Sequence, residues 1–267
     1  MKLEPSKHYR MPLIMGPLFD RTARPRLAYP QVEALAFQYL TDPDAAQALL
    51  PECYRLAKDP LVTVLFSHNN GLAFMAGAGY RLATFQLAAR FDGQRDHVEG
   101  DFILVMFENQ TWPILGGRED LGVPKLFADI SPVRSLPDGH LRCEASLWGH
   151  LLFGLDVPRM RAQAGVVRAV AGRRVNSRPW LAYKYIPSLD GPADADYPTV
   201  TVNNTKLEKL WLGKSANLRF GSPDVDDVGQ IRPLLDALTT LTVIQPVQAL
   251  RLQGSSVLRY DLSRRLR

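Results

Sequence analysis

The chain has 267 residues, 46% apolar and 22% charged, with 20 proline, 19 glycine and two cysteine residues. That composition can bury a sizeable core, and it excludes disorder of the low-hydrophobicity kind. The net charge of +5 comes from basic residues scattered among acids, with no zinc-finger, RRM or basic-helix motif, so nucleic acid is set aside as a partner.

No window reaches the roughly 18 uninterrupted apolar residues that a membrane span needs. The opening run MKLEPSKHYRMPLIMG is broken by Pro12 and Gly16 and does not read as a signal peptide. A cytoplasmic protein without a membrane partner is expected. Cys53 and Cys143 stand about 90 residues apart, without CxxC spacing, and read as two reduced thiols.

In chain order, short β segments recur at intervals of about ten residues, bounded by Pro, Gly, Asn or Asp. The clearest are 33–40, 61–67, 80–91, 101–107, 141–147, 181–186, 199–202 and 257–260. Between the first two, Thr41-Asp42-Pro43-Asp44 opens a short helix that ends by Pro51. The run AGVVRAVAG, residues 164–172, suits a strand with Arg168 turned outward, and SLDGPADADYP, residues 188–198, is the best loop. Residues 226–241 carry a helical apolar period, with Pro233 near the first turn or breaking it. The whole chain, residues 1–267, therefore reads as one β-rich α+β domain built on antiparallel sheet.

The segment with chemical content is ILGGREDLGVPKLFADI, residues 114–130. A strand is expected to end at Gly116-Gly117, the pair Arg118-Glu119 follows, Gly122 makes a turn, and Pro124-Lys125 opens an apolar run. Only eight of the 32 basic residues are lysines, and Lys125 stands with Val123 and Pro124 before it and Leu126 and Phe127 after it. Apolar surroundings disfavour an ammonium ion, and the free amine so released can attack a carbonyl carbon. The bland alternative is a lysine whose stem lies on the core and whose ammonium reaches water.

GGREDLGVPK resembles the GRExxxxPK signature of the acetoacetate decarboxylase family. Further elements resemble that family too: Phe91-Asp92-Gly93 and Gly100-Asp101 upstream, RPWLAYKYIPSLDG (residues 178–191) downstream, Trp211 with Gly213, and the closing segment 258–262. The resemblance implies antiparallel sheets closed into a cone-like barrel with a few helices, and a homo-oligomer. It implies a Schiff base between Lys125 and a small keto-acid substrate, nominally for decarboxylation of a β-keto acid and without a cofactor. Aldol, dehydration and cyclisation chemistry begin with the same imine, and a non-catalytic ligand-binding protein on this scaffold is the reading from another class.

The resemblance also marks departures. Leu126 stands where a second lysine is typical, Leu82 where a glutamate would face the first, and the place of an N-terminal arginine falls near Val32. Arg24, Arg26 and Arg81 are the candidate substitutes for that arginine. Arg118 and Glu119 have two readings: Glu119 shuttles a proton while Arg118 orients an anion, or the two form a structural pair at a strand end. The six arginines between Arg159 and Arg178 either recognise an anion or cover a solvated or inter-subunit face. The five histidines lack metal-ligand spacing, and no GK[ST] phosphate cradle exists.

Overall fold

The computed structural model describes residues 2–267. Its frame is a ring of seven strands: β1 (Arg26–Leu40), β2 (Leu61–Asn70), β3 (Tyr80–Asp92), β4 (His97–Glu108), β8 (Trp180–Ile186), β9 (Ala195–Gly213) and β11 (Gln245–Arg265). Hydrogen-bonded neighbours run β3, β2, β1, β11, β9, β8, β4 and back to β3, which closes the sheet as the cone-like reading requires. All of these pairings are antiparallel except the short parallel contact of β4 with β8. Closure leaves few exposed strand edges, the usual difficulty of an all-β frame.

A smaller sheet covers one face, with β6 (Leu141–Leu147) and β7 (His150–Val157) as its hairpin and β10 (Asn217–Phe220) on its edge. The main core forms between the two sheets: Phe37, Phe66, Phe85 and Phe107 from the ring meet Phe153 of β7. β3 is buried almost without interruption from Leu82 to Ala89, because both of its faces are covered. A second cluster joins Tyr80 and Leu82 of β3 and Ile103 and Met106 of β4 to Leu258 and Tyr260 of β11, with Leu27 and Tyr29 of β1 packed on it. Two strand pairs from different parts of the ring meet there, and the candidate site lies beside them.

The helices of six or more residues that attach to this frame are α1 (Pro43–Ala48), α2 (Thr111–Gly116), α3 (Gly165–Asn176) and α4 (Arg232–Thr239). Asp42 caps α1 by accepting from the Ala45 amide, as expected for the segment before Pro51. Pro233 sits in the first turn of α4, where its missing donor costs nothing, and Leu235 and Leu238 are buried. None of these helices is long and apolar enough to cross a membrane.

Two local expectations are corrected. AGVVRAVAG lies at the start of α3, not in a strand: β9 is already paired on both sides, and the alanines and arginines favour a helix over a run without a ladder partner. The Asn176 side chain fixes its end, accepting from the Thr205 amide and donating to the Thr205 carbonyl. The second correction is at Gly116-Gly117, which ends the helix α2 rather than a strand. Pro113 fits the first turn of α2, and a wider helical turn, Gly117–Leu121, carries the chain on to Gly122.

Candidate active site

β5 (Lys125–Phe127) extends β4 in parallel, with Lys125 opposite Met106. The approach to it is tightly tied. Gly122 adopts φ 75°, and the Val123 amide donates to the Gly117 carbonyl at 2.9 Å. A side chain on Gly122 would also run into Lys184 of β8, so glycine is required there twice over.

Lys125 is 7% exposed. Its Nζ donates to Glu108 Oε1 at 2.8 Å and to the Pro113 carbonyl at 3.0 Å. Glu108, the last residue of β4, is wholly buried, and its Oε2 has no hydrogen-bond partner among the described residues. Burial raises the Glu108 carboxyl above the ordinary range, and the neighbouring lysine acts against that rise. The lysine stem passes over Gly117, where a β-carbon would overlap Cδ and Cε. That close approach accounts for the glycine of the GRE element.

Of the three site residues named from sequence, only Lys125 lines the cavity. Arg118 points to solvent and donates from Nη1 to the Lys125 carbonyl at 3.0 Å. The Glu119 carbonyl accepts from Lys184 Nζ, while its carboxylate makes no hydrogen bond or ion pair among the described residues. The carboxylate that meets the lysine is Glu108, which sequence reasoning missed. A signal existed: one acid closes the otherwise apolar run FILVMF at the end of a buried strand.

The departures also resolve into geometry. Leu82 is the register partner of Glu108 on the neighbouring strand, so the carboxylate expected on β3 is supplied from directly across on β4. Leu126 packs on the main core, as alternation along β5 directs, with Lys125 on the other face. Val32 lies in a separate apolar cluster. None of Arg24, Arg26 and Arg81 lines the cavity; they bind the Ser263 carbonyl, Asp261 and the Ile130 carbonyl. Arg10 does line it.

Asp120, next in the GRED run, anchors that arginine. Its carboxylate accepts from Arg10 Nη2 at 2.7 Å and from the Tyr260 hydroxyl at 3.2 Å, with His8 Nε2 at 2.8 Å. The Arg10 guanidinium lies against Gly116, where a β-carbon would come within 3.1 Å of Nη2. The two adjacent glycines thus seat the two cations of the site. Tyr29 also lines the cavity, 3.4 Å from the Tyr80 hydroxyl, and burial pushes its phenol up to about 12.

Other family elements serve as supports. Arg178 donates to Asp101 at 2.9 Å, Glu99 at 2.8 Å and the Gly100 carbonyl at 2.7 Å, so the RP and Gly-Asp elements hold each other across β4 and β8. Lys184 and Thr199 bind the carbonyls of Glu119 and Leu121 and fix the turn before the lysine. Both thiols are free, and burial raises that of Cys143 far above its ordinary value. Among the described residues no group of three or more His, Cys, Asp or Glu side chains is placed to hold a metal ion.

The acetoacetate decarboxylase family model matches residues 10–259. The chain belongs to the acetoacetate decarboxylase family. Among its relatives, the acetoacetate decarboxylase of Clostridium botulinum is 26% identical over 80% of this chain and 81% of that protein. A solved acetoacetate decarboxylase superposes with a TM-score of 0.74 at 19% identity, covering 97% of this chain and 95% of the other. The enduracididine biosynthesis enzyme MppR, complexed with the condensation product of pyruvate and imidazole 4-carboxaldehyde, gives a TM-score of 0.68 at 17% identity, over 91% of this chain and 90% of that one. The family is one of carbon–carbon lyases, and its substrates are small keto acids.

Proposed function

We propose that Lys125 forms a Schiff base with a keto acid and that the reaction is decarboxylation of a β-keto acid. The observation that carries this reading is the seat of Lys125: a buried amine at an apolar cavity, 2.8 Å from a buried carboxyl group.

The amine nitrogen adds to the ketone carbon and gives a carbinolamine. Loss of its hydroxyl as water leaves an iminium, into which the electrons of the bond between the carboxylate and its neighbouring carbon flow as CO2 departs. The enamine takes a proton on that carbon, and water releases the methyl ketone and the free amine. We assign the proton transfers at nitrogen to Glu108, one oxygen of which touches Nζ while the other has no partner among the described residues. Arg118 and Glu119 act as positioning residues: Arg118 fixes the Lys125 backbone, and the Glu119 carbonyl is tied to Lys184. Their side chains stay outside the reaction.

A second reading is an aldol-type condensation, favoured by the fold shared with an MppR structure that holds a condensation product. The two separate by experiment. The protein is incubated with pyruvate, acetoacetate and longer β-keto acids, reduced with borohydride, and the adduct mapped by mass spectrometry alongside CO2 release. The proposal expects a Lys125 adduct with CO2 release, abolished in Lys125→Ala. An adduct without CO2 release would move the assignment to condensation, and the absence of an adduct with every keto acid would refute Schiff-base chemistry.

A further inference from the structure

The cavity over Lys125 is too large and too apolar for a four-carbon acid. Its volume is about 360 Å³. A seven-atom acid such as acetoacetate fills only about 100 Å³ at the packing density of protein interiors. The remaining walls would lose their dispersion partners, and water against them would lack hydrogen bonds.

The walls come from segments distant in sequence. Met15 and Leu18 lie near the N-terminus, Phe74 on the turn after β2 and Trp112 at the start of α2. All four line the cavity, yet they are 39%, 41%, 40% and 50% exposed. Large apolar side chains left open to solvent mark interaction or ligand sites, and these four belong to the lining of one cavity.

Polar groups in the lining are few. Beyond Lys125, Arg10 offers one unused nitrogen: Nε and Nη2 are bound to Asp120, and Nη1 has no hydrogen bond among the described residues. A guanidinium so anchored has one free edge for a carboxylate.

We propose that the substrate is a β-keto acid whose ketone carries an aryl group or an alkyl tail of about six or more carbons. This rests on the Schiff-base reading above. The carboxylate binds Arg10 Nη1, the ketone carbon meets Lys125 Nζ, and the tail lies among Phe74, Trp112 and Met15. CO2 loss then yields the corresponding aryl or long-chain methyl ketone.

The test compares acetoacetate, β-ketodecanoate and benzoylacetate in borohydride trapping at Lys125 and in CO2 release above the uncatalysed rate. Each methylene moved from water into an apolar site contributes about fourfold. The tail-bearing acids should therefore exceed acetoacetate in kcat/KM by about fiftyfold or more. Phe74→Ala should cut that ratio by about tenfold, and Arg10→Met should weaken trapping of the acids relative to the neutral methyl ketone of the same tail. An adduct with acetoacetate that is formed and turned over as well as the longer adducts would overturn the substrate assignment alone. The absence of any adduct at Lys125 would remove the Schiff-base reading, and this assignment with it.

Discussion

Gly117→Ala sets two magnitudes against each other. Gly117 has helical backbone angles, φ −66° and ψ −44°, so propensity alone predicts that alanine stabilises the turn by about 0.5–1 kcal/mol. The added β-carbon would, however, overlap Cδ and Cε of Lys125 and come within 2.8 Å of Nζ. That side chain cannot step aside freely, because it is buried and its tip is held by Glu108 and the Pro113 carbonyl. Overpacking costs about 1–3 kcal/mol, and losing a hydrogen bond to a charged group about 1.5–3 kcal/mol more.

The expected net result is a protein destabilised by about 2–5 kcal/mol. Trapping of a keto acid should slow by about 100-fold, the usual effect of moving a reacting atom by about an ångström. The measurement is the time course of borohydride labelling by intact mass, with a urea melt of the same sample. Gly116→Ala is the milder comparison: the atoms nearest its β-carbon would be those of the Arg10 guanidinium, at 3.1–3.4 Å. It should label within about tenfold of wild type. If Gly117→Ala labels at the wild-type rate, the seat of Lys125 over that glycine is wrong.

Glu108→Gln keeps the shape and removes the proton shuttle, so turnover should fall by about 100- to 10,000-fold with Lys125 still in place. The same variant has a signed effect on stability. Because burial raises the Glu108 carboxyl, the folded chain holds that proton more tightly than the unfolded chain does. Its contribution is complete below the ordinary carboxyl range and is lost as pH rises through the raised value. Urea melts from the ordinary value of 4.5 upward should therefore show the wild-type advantage over Glu108→Gln shrinking, and a growing advantage would contradict this. Glu108→Leu should abolish labelling, and adding Leu82→Glu should restore at least about a tenth of it, since the two positions face each other. A double variant as dead as the single would show that position across the strand pair is not enough. Arg178→Met leaves the carboxyl of Asp101, already raised by burial, without its guanidinium. It should lower stability by about 2–3 kcal/mol in thermal melts, and an unchanged midpoint would count against the support role.

Lys125 was legible because its signal is contiguous: five fixed motif positions within nine residues, flanked by apolar neighbours. Most strands were legible for a similar local reason, the alternation of apolar residues between turn-forming ones. Glu108 lies 17 residues before the lysine in sequence and reaches it only through the parallel pairing of β4 with β5, and strand register is not written locally. Arg10 is further removed, bound to Asp120 110 residues away from a segment without periodicity. Residues 164–172 failed for the opposite reason: their local pattern fits either a helix or a strand, and the occupied edges of β9 decide. The Gly116-Gly117 pair reads as a turn in sequence, whereas its purpose is steric, because each glycine leaves room for one cation.

On the proposed Schiff-base reading, the facing of Leu82 and Glu108 explains how a carboxyl group reaches the amine from β4 rather than from β3. Directly opposed residues on antiparallel strands point to the same face, with β-carbons about 5 Å apart, so a carboxylate moved from one to the other still reaches the same amine. The leucine then occupies the place the glutamate would have filled, and the apolar cluster of Tyr80, Met106 and Leu258 stays closed around it. Had both positions been acidic, two buried carboxylates would share one lysine, and like charges at that distance cannot both ionise. Had neither been, a buried ammonium would stand without a partner. With Leu126 turned into the core, Lys125 meets one carboxyl group, that of Glu108 behind it, the minimum that lets a proton move between nitrogen and oxygen.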